Sequence, residues 1–85
     1  MKIGICGSLE SNDALITVKP SDKQEIIIKS VVYDFFHEQI EKVIKDTLKE
    51  LNKENLSVHC EDKGALDYTI RARLITAINR MENSL

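Results

Sequence analysis

The sequence predicts an α+β fold: a mostly antiparallel sheet with two amphipathic helices packed on one of its faces. Three observations predict it. Four short stretches of alternating or β-branched apolar residues are separated by turn residues. Two longer stretches repeat apolar residues at helical spacing, and each needs a sheet or a partner helix to cover its stripe. The length, 85 residues, allows one core layer, because a domain of this size buries only about 60–65% of the surface its unfolded chain exposes. The predicted order is β-β-β-α-β-α in a single domain spanning 1–85.

The first strand is predicted where Ile3, Ile5, Gly7 and Leu9 alternate with other residues. Ser11-Asn12-Asp13 follows with turn chemistry, since Asn and Asp tolerate unusual backbone angles and bond their own main chain. Ala14 to Lys19 reads as a second strand, which makes a hairpin with Ser11 at its tip or shoulder. After the turn signal Pro20-Ser21-Asp22 comes a third strand, Gln24 to Lys29. Its run Ile26-Ile27-Ile28 implies cover on both faces or a tight fit under a helix.

Ser30 is a candidate N-cap for the first helix. Val32, Phe36, Ile40, Val43, Ile44, Leu48 and Leu51 form its apolar stripe, with charged residues between them. Glu38 with Lys42, and Glu41 with Lys45, stand in the favourable i, i+4 order for ion pairs. Asn52 to Asn55 end the helix. Leu56, Val58 and Cys60 alternate with polar residues as a fourth strand with one buried face. Asp62 is the candidate cap of a second helix, whose stripe is Leu66, Ile70, Leu74, Ala77, Ile78 and Met81.

Composition narrows the function classes. The net charge is −2, from 12 basic and 14 acidic side chains. No basic excess exists to neutralise a phosphate backbone, which argues against nucleic-acid binding. No apolar run approaches the ~18–20 residues that span a bilayer, and no signal-peptide pattern opens the chain, so the expected compartment is the cytoplasm. Cys6 and Cys60 lie in apolar stretches and read as core thiols, and a reducing compartment disfavours their oxidation.

No metal site is expected. His59 and Cys60 are adjacent on a strand and point to opposite faces, and no CxxC or HxxxH spacing occurs. His37 reads as a surface or boundary residue of the first helix. Three glycines, Gly4, Gly7 and Gly64, build neither a phosphate-binding loop nor a dinucleotide fingerprint. No nucleophile elbow is present.

Two segments carry a resemblance. The run Gly7-Ser8-Leu9-Glu10-Ser11 and the run Asp62-Lys63-Gly64-Ala65-Leu66-Asp67, leading into Arg71-Ala72-Arg73-Leu74, together resemble the acyl carrier subunits of citrate lyases. Ser8 stands where the family more usually has threonine, and Tyr68 where cysteine is common. The resemblance implies that Ser11 is esterified to a phosphoribosyl-dephospho-coenzyme A arm, 2'-(5''-phosphoribosyl)-3'-dephospho-CoA. It implies no catalytic residue in the chain itself.

The implied arm holds an acetyl thioester. The implied partners are an alpha subunit that exchanges acetyl for citryl, a beta subunit that cleaves citryl-carrier to oxaloacetate, and a prosthetic-group transferase. Glu10 and Asp13 are candidates for recognition by that transferase, against the plainer account of solvated turn charges. Arg71 and Arg73 are candidates for contact with the arm or a partner. Two residues apart on a helix, they diverge by roughly 200° and cannot both serve one site without a bend, and a solvated or intramolecular ion-pair role stands as the alternative for either. The carrier subunit of a malonate decarboxylase is the near alternative. A non-enzymatic adaptor is the alternative from another class, and it predicts that Ser11→Ala changes nothing.

Overall fold

The computed structural model describes residues 2–30 and 33–84, with side chains described for 2–30 and 36–84. The elements run β1 (Gly4–Gly7), β2 (Ala14–Pro20), β3 (Glu25–Ser30), α1 (Tyr33–Glu50), β4 (Leu56–Asp62) and α2 (Asp67–Glu82). This is the predicted order.

The sheet order is β1-β2-β4-β3. β1 and β2 form an antiparallel hairpin, β4 pairs antiparallel with β2, and β3 lies parallel to β4. Parallel neighbours need a long crossover connection, and α1 supplies it. Register places Cys6, Ile16, Cys60 and Ile28 in one row across the sheet. All four are buried, and Ala14, Val18 and Val58 share their face. Both helices cover that face, α2 over β1 and β2, α1 over β3 and against α2. Ile40, Ile44 and Leu48 from α1 and Ile70, Leu74 and Ile78 from α2 close the core. Burying each of these side chains stabilises the fold by about 1.5–3 kcal/mol relative to exposure.

The two cysteines are free. They share a row but have β2 between them, and strands lie about 4.8 Å apart. Their separation of about two strand spacings exceeds the ~7 Å Cα limit for a disulfide.

The phase of β1 is set by α2. Gly4 and Cys6 face inward, while Ile3 and Ile5 face solvent. A Cβ on Gly4 would fall 1.7 Å from the carbonyl oxygen of Ala77, so the helix rests directly on the strand backbone. The small residues of β1 occupy the inner face because the helix leaves no room for isoleucine there.

Several local expectations are corrected. Ile27 is half exposed on the open face of β3, so cover on both faces is ruled out, and the other reading, a fit under a helix, holds through α1. Phe36 and Leu66, both assigned to helix stripes, are exposed. Lys42 pairs with Asp46 rather than Glu38, whereas the Glu41–Lys45 pair forms at 3.0 Å. Asp62 does not cap α2: Leu66 holds the cap position without a side-chain bond. Asp62 is the buried last residue of β4, accepting bonds from the Ser30 hydroxyl at 2.8 Å and the Ala65 amide at 2.8 Å. Ser30 ends β3. Val32, and the chain through which Ser30 would cap α1, lie outside the described residues.

Candidate functional site

The site is the β1–β2 connection and what it rests on. Gly7 closes the hairpin opposite Leu15 with φ of 105°, a left-handed conformation open to glycine. A side chain there would also strike the Ala14 carbonyl oxygen, 1.8 Å from the Cβ position. The Asp13 amide donates to the Glu10 carbonyl at 3.1 Å, which makes Glu10 to Asp13 a β-turn with Ser11 and Asn12 at its centre. Asn12 takes the positive φ, 68°, that the third position of a type II turn requires.

Asp13 holds this turn to the body. Its carboxylate accepts from the Ser8 hydroxyl at 2.7 Å, the Ala14 amide at 2.8 Å, and Arg73 Nε and Nη2 at 3.0 and 3.1 Å. The Arg73 fork is bidentate and reaches the turn from α2. These bonds, Ser8 foremost and Arg73 next, lower the Asp13 carboxyl to about 2, and the same pairing raises the Arg73 guanidinium. At 15% exposure the Asp13 side chain is a structural hub, which corrects its reading as a solvated turn charge.

A second brace comes from the β4–α2 loop. The Asn12 amide donates to the Lys63 carbonyl and the Lys63 amide to the Asp13 carbonyl, both at 2.8 Å. Thus the residues that directly follow the first segment singled out in the sequence are hydrogen-bonded to the second. Ser11 projects between these braces. It is exposed, and its hydroxyl makes no hydrogen bond among the described residues. Glu10 beside it is also exposed.

The two arginines separate as the helical geometry requires. Arg73 belongs to the turn, whereas Arg71 turns toward α1 and pairs with Glu50 at 2.7 Å. Only Arg73 is brought to Ser11.

Ser8 and Lys63 were not foreseen as parts of the site. A serine and an aspartate flanking a tight hairpin turn are a local signal for Ser8, and a threonine would offer the same hydroxyl. The Lys63 brace joins positions far apart in sequence and has no local signal.

Other chemistry is poorly supported by the surroundings. Burial, with Asp62 and Glu61 nearby, pushes the Cys60 thiol up to about 12, so it is no nucleophile at neutral pH. His59 is exposed on the opposite face from Cys60. Among the described residues no three His, Cys, Asp or Glu side chains converge on a possible metal position. No described helix is long and apolar enough to cross a membrane.

Comparison with known proteins adds three findings. Residues 1–81 match the model of an acyl carrier family described as malonate decarboxylase delta subunit (MdcD). Curated citrate lyase acyl carrier proteins are similar over most of the chain. That of Streptococcus mutans is 53% identical over 78 residues, covering 89% of this chain and 76% of its own. That of Treponema denticola is 46% identical over 76 residues, covering 89% and 87%. Among solved structures, a chain of a Pseudomonas malonate decarboxylase hetero-tetramer in complex with malonate has the same fold. Its TM-score is 0.81 at 16% identity, with 94% of this chain and 84% of that chain covered.

Proposed function

The chain belongs to the citrate lyase acyl carrier protein family, and from that premise we infer that it serves as the acyl carrier subunit of a citrate lyase, with Ser11 as its attachment point. It is a carrier, not a catalyst. One observation carries the assignment of Ser11: a free, exposed hydroxyl at the tip of a turn that is braced on both sides. A carrier requires that combination. A transferase must reach the oxygen, and partners must meet it in a fixed setting.

The residues present fit a 2'-(5''-phosphoribosyl)-3'-dephospho-CoA arm. Ser11 supplies the ester oxygen, and no described side chain bonds or covers it. The thiol of such an arm supplies the acyl-carrying chemistry when bound. The chain's own contribution is position. Asp13, Arg73 and Lys63 fix the turn, and tethering raises the local concentration of the acyl group at each partner. The proposed partners are the alpha and beta subunits of the lyase and the prosthetic-group transferase. Glu10 is the proposed recognition residue for that transferase, and its exposure beside Ser11 supports this. Asp13, Arg73 and Arg71 are each already engaged within the chain. The proposed compartment is the cytoplasm, in keeping with two free thiols.

The malonate decarboxylase description of the matching family favours a second reading, a carrier for that enzyme. The identity to citrate lyase carriers over most of the chain favours the first.

Intact mass and peptide mapping of the chain from its native host test both site and role. The expected result is the mass of the arm on the peptide containing Ser11, absent in Ser11→Ala. Unmodified Ser11 in protein taken from an active complex would sink the assignment and leave the adaptor reading. Acyl transfer dependent on malonate rather than citrate would choose the second carrier reading.

A further inference from the structure

A groove of about 470 Å³ opens between the start of α1 and the β4–α2 loop, lined mainly by Phe36, Ile40, Ala65, Leu66 and Tyr68. Phe36, Leu66 and Tyr68 are 48%, 58% and 72% exposed, so three large apolar side chains surround one open depression. Apolar side chains gathered around one depression suit a ligand with an apolar face.

Its position relative to Ser11 is specific. Gly64, at the groove's edge, lies against the Asn12 side chain: a Cβ there would be 3.6 Å from Asn12 Oδ1. Lys63, the residue before it, is bonded through its backbone to Asn12 and Asp13. The Lys63 ammonium has no ion-pair or hydrogen-bond partner among the described residues. From Ser11, therefore, the surface presents an uncommitted cation and then an apolar hollow.

The rim has a polarity of its own. Gln39 Nε2 donates to both Asp67 carboxylate oxygens, at 3.0 and 2.9 Å. This leaves Gln39 Oε1 free to accept. The Asp67 charge at the rim disfavours phosphate groups inside the groove and admits a neutral aromatic.

Building on the carrier reading above, we propose that this groove is a resting seat for the adenine of the arm attached to Ser11, with Lys63 against the phosphodiester at the attachment point. The order of groups along the arm matches the order along the surface. The anionic phosphodiester comes first, at Lys63. The linking ribose and the adenosine follow, and the groove beyond Lys63 and Gly64 is lined by Phe36 and Tyr68, with Gln39 as an acceptor for the exocyclic amine. Bases bind aromatic side chains by stacking whatever their sequence context. Attachment supplies an effective concentration on the order of millimolar, so a seat of weak intrinsic affinity is filled. The seated arm leaves its acyl-bearing end outside, for a partner to take.

The test uses the full chain, loaded at Ser11 by its transferase and compared with the bare chain by NMR. Mass spectrometry of each sample reports loading independently. The expected result is a shift of Phe36, Leu66 and Tyr68 resonances on loading, with nuclear Overhauser contacts from adenine protons to the Tyr68 ring. Tyr68→Ala, at a largely exposed position, should load fully by mass yet lose the loading-dependent shifts of Phe36 and Leu66. Fully loaded chain whose shifts are confined to Ser8–Asp13 and Lys63 would overturn the seat while leaving the carrier reading intact. Shifts in the groove that arise only on adding a partner subunit would assign it to that partner and likewise overturn the seat. Failure of Ser11 to load in the competent native system would remove the carrier reading, and the seat with it.

Discussion

Asp13 concentrates the electrostatics of the turn. Its carboxyl sits at about 2 rather than the ordinary 3.8, because Ser8, Arg73 and the Ala14 amide all bond the charged form. A carboxyl depressed on folding stabilises the protein above its unfolded value and loses that contribution as pH falls through its folded value. The urea midpoint should therefore drop between about pH 4 and pH 2. Asp13→Asn should lower the midpoint at neutral pH and flatten its dependence across that window. A variant as acid-sensitive as the parent would show that another carboxylate governs the acid limb. Ser8→Ala should act in the same direction and more weakly, since Arg73 would remain in place.

At the scale of the element, β1 shows how a helix dictates the face of a strand. Gly4→Ala would drive a methyl into the Ala77 carbonyl. Overpacking of this kind costs about 1–3 kcal/mol, and chemical denaturation should show a loss of at least that size. The period-two pattern was enough to place β1, and the helical stripes were enough to place both helices, because periodicity reports burial along one element. It could not tell which β1 face was inward, since that depends on α2 lying against Gly4. Phe36 and Leu66 obeyed the helical spacing yet stay exposed: Leu66 precedes the first turn of α2, and both flank the groove between α1 and the β4–α2 loop. The site divides in the same way. Ser11 and its turn were legible from local composition and from the resemblance. Nothing local announced that Asp13 would be claimed by Arg73, 60 residues away, or that Lys63 would bond the turn. Those contacts depend on β4 lying beside β2. The divergence of Arg71 from Arg73 was legible, because it follows from helix geometry alone.

For the whole molecule, the decisive feature is the strand order. β4 forms the middle of the sheet, between β2 and β3, and pairs with β2 from Leu56 to Asp62 and with β3 from Ser57 to Asp62. Removing it would leave two edges unpaired and the inner face without Val58 and Cys60. A fragment ending at Asn55 should lack a cooperative unfolding transition and native amide dispersion. Retention of either would mean that the hairpin and α1 hold a core by themselves.

The Lys63 brace carries a consequence in time. Ser11 leaves a ribosome well before Lys63, because the loop that fixes its turn is made only after β4. The hydroxyl is therefore present early, while its setting is complete only once β4 and the loop after it have joined the sheet. A transferase that reads the braced turn would thereby modify finished molecules and pass over nascent or truncated ones.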